Sequence, residues 1–181
     1  MVKPLEGMRV MDWTAWQQGP IAEALLADMG AEVIKIEPPE GEPGRGMLRM
    51  YGADMTLNFY YQNQNRGKKG IVLNPTTDKG REVLYRLVDK SNVFVTNYRE
   101  IAAKRLKVDY DTLKKYNPKL IYALSSGFGS KGPDTSRMSA DFAGQARGGM
   151  WSITQSEDLV SVAIGVGFAD EVGCVGGSAH E

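Results

Sequence analysis

Apolar residues along the chain form short β-branched runs that alternate with longer segments of helical periodicity. The run from Arg9 to Trp13 predicts a strand, and Pro20 predicts a helix from there to Met29. Gly30 ends that helix, because proline suits a first helical turn and glycine suits the position after the last. Ala31 to Glu37 predicts a second strand. A strand, a helix and a strand within about 30 residues are typical of a βαβ unit.

The same alternation continues to the end of the chain. Prolines and glycines predict a long loop over residues 38–58. Beyond it, the pattern predicts strands at Gly70–Leu73, Val93–Thr96 and Leu120–Leu124. It predicts helices at Pro75–Lys90 and Ala140–Ala146, and two short helices within Glu100–Tyr116. A glycine-rich loop is predicted at Ser125–Pro133, and a loop or strand at Gly165–Ala169. This order predicts an α/β fold with a Rossmann-like, mainly parallel sheet and flanking helices. Ligands of such sheets bind beyond the carboxyl ends of the strands.

Composition removes several classes of function. The 181 residues carry 22 basic and 22 acidic side chains, so net charge gives no reason to expect a nucleic-acid or membrane-surface protein. One cysteine, Cys174, and one histidine, His180, are too few for a structural zinc site or a disulfide framework. No apolar run resembles a signal peptide or a membrane helix. We expect no metal and a cytoplasmic location.

Three polar segments are candidates for binding a phosphorylated ligand. The loop from Thr14 to Gly19 leads into a helix N-terminus, where free N–H groups attract anions. Asn65 to Lys69 contains three cations beside a glycine, and Asn97 to Arg99 is followed by Lys104 and Arg105. Phosphates need such clusters of donors and positive charge. A plain βα turn is the alternative for the first of these segments, and a solvated basic turn is the alternative for the second.

Asp170 is the candidate for covalent chemistry. It lies among small and apolar residues, directly after the segment Gly165 to Ala169. A carboxylate at a helix start is stabilised by the helix dipole. The alternative interpretation is a simple helix N-cap.

In their order and spacing these segments resemble the family III CoA transferases, the superfamily of formyl-CoA transferase, the carnitine and bile-acid CoA transferases and α-methylacyl-CoA racemase. The resemblance runs from Leu5 to the last residue. It is carried by Gly7–Asp12, Gly30–Glu37, Asn65–Lys69, Asn97–Arg99, Gly127–Gly129 with Gly132–Pro133, and Asp170.

The resemblance implies a role for each matching residue. Asp170 corresponds to the nucleophilic aspartate, and Gln17 to a glutamine that contacts the catalytic carboxylate and the thioester. The residues that correspond to the coenzyme A site are Lys68, Leu73, Asn97, Tyr98, Arg105 and Leu106. Coenzyme A and acyl-CoA are then substrates, together with a carboxylic acid, and no cofactor is bound permanently.

The family also implies an assembly. Its subunits are rings that interlock in a homodimer, and each has a large CoA-binding domain and a small domain. Its members are considerably longer than this chain. We therefore expect residues 1–181 to be the N-terminal part of the large domain, with the small domain and the C-terminal part missing through truncation or proteolysis.

Three other functions remain open at this stage. An α-methylacyl-CoA racemase needs two acid/base groups, and the matching racemases have a histidine where this chain has Ala140, before Asp141. Many transferases have a tyrosine there, so Ala140 departs from both patterns. A fragment that binds CoA without activity is the second alternative. A Rossmann-like oxidoreductase is the third, although the GxGxxG fingerprint is absent.

Overall fold

The computed structural model describes residues 2–47, 58–154, 163–165 and 167–176. Within these ranges, strands alternate with helices along the chain. The strands are β1 (Arg9–Trp13), β2 (Glu32–Glu37), β3 (Lys69–Val72), β4 (Val93–Thr96) and β5 (Ile121–Leu124). The helices are α1 (Gln18–Asp28), α2 (Phe59–Gln64), α3 (Asp78–Asp89), α4 (Glu100–Leu106), α5 (Tyr110–Leu113), α6 (Asp141–Arg147), α7 (Met150–Ile153) and α8 (Phe168–Gly176), with a 3-10 turn at Pro43–Gly46.

All five strands form one parallel sheet in the order β3-β2-β1-β4-β5. Val10 of β1 stands opposite Val33 on one side and Val93 on the other. From β1 the chain first builds the sheet toward β3 and later returns to add β4 and β5. The carboxyl ends of β1 and β4 therefore flank the switch point at which ligands of such sheets bind.

The predicted α/β fold is confirmed, and most elements lie within a few residues of their predicted bounds. β1 and β4 have the predicted limits, and Gly30 ends the first helix region with a φ of 104° that other residues rarely adopt. One prediction was wrong in detail, because α8 begins at Phe168, inside the segment predicted as a loop or strand. The sequence predicted no element at residues 59–64, where α2 lies.

Apolar side chains cover both faces of the sheet. One cluster joins Met11, Trp13 and Phe94 to Leu84 and Val88 of α3, and it includes Ala103, Val108 and Leu113. A second cluster joins Val10, Ala31, Val33 and Val95. Such two-sided burial is typical of parallel sheets, whose strands are covered by helices on both faces.

A group of buried charges lies beneath the carboxyl end of β1. We call it the buried charge cluster, and it consists of Asp12, Lys35, Glu42 and Lys68 together with Thr14. The Lys35 ammonium donates to the Glu42 carboxylate at 2.6 Å and to the Thr14 carbonyl at 2.8 Å. The Asp12 carboxylate accepts from the Thr14 hydroxyl at 2.6 Å and from Lys68 at 2.8 Å. Each charge thus has an opposite partner, which burial requires.

The cluster connects three segments that are distant in sequence. Lys35 extends from β2 to the loop after β1 and to the segment before the 3-10 turn. Lys68 extends from the residue before β3 to Asp12 and to the Pro20 carbonyl at the start of α1. The buried ammonium groups of Lys35 and Lys68 therefore fix the position of the β1–α1 connection.

Replacing Lys35 by methionine should lower the free energy of unfolding by about 3–5 kcal/mol, because Glu42 is left as a buried carboxylate without its cation. Urea denaturation measures this loss. Lys69→Met is the matched control: its side chain is 71% exposed and pairs with Glu32 at the surface, so the loss should stay below about 1 kcal/mol. Equal losses for the two variants would contradict the proposed importance of the cluster.

Candidate functional site

Asp170 lies in the first turn of α8 and is half-buried. Its backbone N–H is bonded to another residue's side chain, but its own carboxylate accepts no hydrogen bond from any residue that the structure describes. It is therefore not the cap of its own helix. An unpaired carboxylate in a partly desolvated position is free to act on a ligand.

The pKa of Asp170 is raised from the ordinary 3.8 to about 6. Burial is the largest cause, and the negative charges of Asp141 and Glu171 add to it. A carboxylate with this pKa is mostly ionised at pH 7 and more basic than an exposed one.

Asp141 caps the helix that carries Asp170. One of its carboxylate oxygens, Oδ1, accepts from the backbone N–H groups of Ala169 at 2.6 Å and of Asp170 at 3.2 Å. These are N–H groups that no turn of the helix can satisfy. The cap comes from the first residue of α6, so the placement of Asp170 depends on how α6 and α8 pack.

Gln17 faces the same helix from the β1–α1 connection. Its amide Nε2 donates to the carboxylate of Glu171 at 2.9 Å and, more weakly, to the Gly167 carbonyl at 3.4 Å. Gly167 has a φ of 91°, and a Cβ there would come within 2.0 Å of the Gln17 amide. Gln17 thus contacts the residue after Asp170 and the turn before it rather than the Asp170 carboxylate, which accepts no hydrogen bond from the residues that the structure describes.

The backbone just before Gln17 is strained. Trp16 has a φ of 68°, an unfavourable value for a bulky residue, and the residue is 46% exposed. Asn97, at the end of β4, holds the neighbouring residue: its amide donates to the Ala15 carbonyl at 2.7 Å and accepts from the Ala15 N–H at 2.9 Å. Strain of this kind persists only where surrounding contacts fix the backbone.

Leu73, Tyr98 and Leu106 are brought together by the fold. All three pack against the hydrophobic cluster that contains Trp13 and Phe94. The Tyr98 ring is stacked on Trp13 with 4.7 Å between ring centroids, and burial raises the pKa of its hydroxyl. Leu73 and Tyr98 follow the carboxyl ends of β3 and β4, so both lie at the ligand-binding edge of the sheet.

Arg105 and Lys68 have opposite environments. Arg105 is exposed on α4, and its guanidinium has no ion-pair partner among the described residues. Lys68 donates to Asp12, Pro20 and Asn65 within 3.0 Å, and its side chain is only 2% exposed. Those acceptors use the donors that an ammonium has. Lys68 therefore supports the site from beneath, while Arg105 is available to a ligand.

A cleft of about 430 Å³ opens beside Gln17 and Glu171. Its other lining residues are Met47, Phe59, Tyr60, Asn63 and Gln64. Burial raises the pKa of the Tyr60 hydroxyl. A side-chain hydrogen bond with Gln64 opposes this rise, and the negative charges of Glu42, Asp170 and Glu171 add to it. Tyr60 therefore remains a neutral hydrogen-bond donor in the same electrostatic environment as Asp170.

Among the described residues, no three His, Cys, Asp or Glu side chains are grouped as metal ligands. None of the helices in that part of the chain has the length and apolar character needed to span a bilayer.

The family is decided by comparison with known proteins. A family model described as CoA-transferase family III matches residues 5–179. This chain belongs to CoA-transferase family III. The family contains formyl-CoA:oxalate CoA-transferase of Streptomyces avermitilis, to which this chain is 40% identical over 170 residues, covering 94% of this chain and 41% of that protein.

Other members of CoA-transferase family III act on other acids. Succinyl-CoA:mesaconate CoA-transferase of Haloarcula marismortui is 37% identical to this chain over 172 residues, which cover 92% of this chain and 43% of that protein.

The crystal structure of Rv3272 from Mycobacterium tuberculosis superposes with a TM-score of 0.87 at 33% identity, covering 97% of this chain and 48% of that one. The chain thus spans less than half the length of the family members it matches.

Several residues of the site were missed by sequence reasoning. The sequence pattern gives Asp141 no role beyond its place after Ala140, and it gives none to Gln145 or Lys35. Two signals were present. Asp141 and Gln145 are four residues apart on a predicted helix and so lie on one face. Lys35 is a cation between two isoleucines of a predicted buried strand, where charges occur only in pairs.

The raised pKa of Asp170 predicts how stability varies with pH. Because the folded pKa exceeds the unfolded one, protonated Asp170 favours the folded state below about pH 4, and this contribution is lost as the pH rises through about 6. The asparagine in Asp170→Asn does not ionise, so this variant does not lose stability in that way as the pH rises. Its stability relative to the wild type should therefore rise by about 1 kcal/mol between pH 4 and pH 7, after allowance for solvent screening.

Urea denaturation of both proteins at the two pH values measures this change. Asp78→Asn, at an exposed acid in the first turn of α3, is the control for removing a first-turn carboxylate. A relative stability of Asp170→Asn that falls as the pH rises would contradict the environment described for Asp170.

Proposed function

We propose that the protein transfers coenzyme A from an acyl-CoA thioester to a carboxylic acid, with Asp170 as the nucleophile. The observation that carries this proposal is the Asp170 carboxylate itself, half-buried, without a hydrogen-bonding partner among the described residues and held at the start of a capped helix. The names of the relatives support CoA transfer as the class of reaction.

The reaction proceeds through two kinds of aspartyl intermediate. The Asp170 carboxylate attacks the acyl carbonyl, which forms a mixed anhydride and releases the CoA thiolate. The thiolate attacks the aspartyl carbonyl of the anhydride, which releases the first acid and leaves an aspartyl–CoA thioester. The incoming carboxylate attacks that thioester to form a second anhydride and thiolate. Attack of the thiolate on the new acyl carbonyl gives the new acyl-CoA and restores Asp170.

A carboxylate suits this exchange because it needs no helper base. With a pKa of about 6, Asp170 is mostly ionised at pH 7 and more basic than an exposed aspartate. Every step conserves the energy of the thioester, provided that water does not attack the intermediates. The rate then depends on placing the reacting groups correctly, and binding of the long CoA molecule away from the reacting atoms can supply that placement.

The switch point supplies the residues for the CoA moiety. Leu73, Tyr98 and Leu106 offer apolar and aromatic surface. Arg105 offers a guanidinium that has no ion-pair partner in the described part of the chain and that suits a phosphate. Asn97 fixes the backbone of the β1–α1 connection, and Lys68 holds the same connection from below. In this assignment Asn97 and Lys68 shape the CoA site rather than present their polar groups to the ligand.

The reacting end of the ligand is proposed to occupy the cleft beside Gln17 and Glu171. Tyr60 is a neutral donor there and can bind the carboxylate of an acid. By analogy with the family, we propose that this chain is part of the large CoA-binding domain of an interlocked homodimer, acting in the cytoplasm on soluble substrates.

The racemase alternative is disfavoured by the residue before Asp141. Removal and return of an α-proton require a second acid/base group, and Ala140 has no titratable side chain. A protein that only binds CoA would bind it at equilibrium without forming a new acyl-CoA, so turnover by the complete protein separates a transferase from that alternative.

Asp170→Ala should abolish CoA exchange in the complete protein, by at least about 1,000-fold in kcat, while binding of CoA is retained. Turnover is measured by mass spectrometry of the acyl-CoA product, and binding by calorimetry. Asp78→Ala, which removes an exposed first-turn aspartate of α3, is the matched control and should leave both unchanged. Normal turnover in Asp170→Ala would exclude the proposed mechanism.

Arg105→Ala should weaken CoA binding about tenfold, because it removes a charge-assisted contact to a phosphate. The salt dependence of binding should fall as well. Arg86→Ala removes an exposed arginine of α3 that pairs with Glu82 and should leave the dissociation constant unchanged. An unchanged CoA affinity in Arg105→Ala would remove Arg105 from the site.

A further inference from the structure

Gln145 is an almost fully buried amide, 1% exposed, on the inward face of α6. Its Nε2 donates to the Asp141 carboxylate at 2.7 Å and to the carbonyls of Ile164 and Gly165, both at 3.2 Å. Its Oε1 accepts from the Ile164 N–H at 2.8 Å. One side chain thus bonds to another side chain on its own helix and to a backbone segment about 20 residues further along the chain.

The chemistry of these partners determines that a glutamine is needed. Nε2 faces three oxygens and Oε1 faces one N–H, so the two ends of the amide cannot be exchanged without placing oxygen against oxygen. A carboxylate at this position would repel Asp141, and an apolar side chain would leave four polar groups without their partner.

The partners of Gln145 lead to Asp170 by two short routes. Asp141 accepts from Gln145 through Oδ2 and caps α8 through Oδ1, at the N–H groups of Ala169 and Asp170. Ile164 and Gly165 belong to the backbone that enters α8, which begins at Phe168. Gln145 therefore controls both the residue that caps the helix and the segment that precedes it.

Close packing makes this control direct. Gly144, beside Gln145, faces α8, where a Cβ at Gly144 would come within 2.9 Å of the Ala169 side chain. The Glu171 N–H donates to the Gly167 carbonyl at 2.9 Å, which closes the first turn of the helix around Asp170. A change at Gln145 consequently moves the start of α8 rather than a distant loop.

We propose that Gln145 is a positioning residue for Asp170, which sets the location and orientation of the nucleophile through Asp141 and the Ile164–Gly165 backbone. This inference rests on the proposed function, because it assigns Gln145 a role only if Asp170 reacts. Gln145 itself contacts no substrate. Its contribution is therefore to kcat rather than to CoA binding, for which other residues were proposed.

The test is Gln145→Met in the complete protein, since methionine preserves the volume and removes the hydrogen bonds. We expect kcat to fall about 100-fold, as for a misplacement of the reacting group by about 1 Å, while KM for acyl-CoA changes less than about threefold. The matched control is Asn117→Leu. The Asn117 amide donates to the Val88 and Ser91 carbonyls and accepts from the Lys119 N–H, in the turns that precede β4 and β5.

Asn117→Leu removes a comparable set of hydrogen bonds, so it should lower Tm as Gln145→Met does but keep the wild-type kcat per folded molecule. If Gln145 has only a structural role, both variants lose Tm and both keep kcat, and the proposal is overturned. A second variant, Asp141→Asn, retains an oxygen for capping α8 and turns an N–H₂ group toward Nε2 of Gln145. It should show the same selective loss of kcat, and a normal kcat would overturn the proposal.

Asp170→Ala, measured in parallel, separates failure of this inference from failure of the proposed function. If Asp170→Ala is inactive and Gln145→Met has normal kcat, Asp170 remains the nucleophile and Gln145 does not position it. If Asp170→Ala turns over normally, the proposed function fails and the role of Gln145 fails with it.

Discussion

The site depends on one interaction, the capping of α8 by the carboxylate of Asp141. Because Asp141 satisfies the N–H groups of Ala169 and Asp170 from another helix, Asp170 does not have to cap its own helix and its side chain stays unbonded among the described residues. The same neighbouring charge helps burial to raise the pKa of Asp170 to about 6. A structural contact thus leaves the carboxylate both available and more basic.

The β1–α1 connection, which faces α8 across the site, is fixed in a different way. Asn97 bonds to both backbone groups of Ala15, and Lys35 bonds to the Thr14 carbonyl from below. Between these anchors and Gln17 lies Trp16, with a φ of 68°. Gln17 then bonds to Glu171 of α8. The β1–α1 connection at the switch point, where ligands of such sheets bind, is therefore linked to the helix that carries Asp170 by a hydrogen bond of the Gln17 side chain.

The sequence was sufficient for the local features and insufficient for the contacts between distant segments. β1 and β4 have their predicted limits because β-branched runs and their flanking polar residues determine strands locally. The start of α8 at Phe168 is not evident from the sequence, because glycines precede it and because Asp141, which caps it, lies 28 residues earlier in the chain. Lys68 matched a basic position near the CoA site, yet only the fold shows that its charge is used by Asp12. Such pairings depend on tertiary packing that periodicity does not encode.

The central claim is that Asp170 accepts an acyl group and then CoA. It is tested most directly by incubating the complete protein with acyl-CoA without an acceptor acid, quenching with acid, and mapping the proteolytic peptides by mass spectrometry. We expect the peptide that contains Asp170 to gain the mass of CoA less one water, with fragment ions that assign the gain to Asp170. A gain assigned to another residue, or an unmodified protein under conditions that support turnover, would contradict the account.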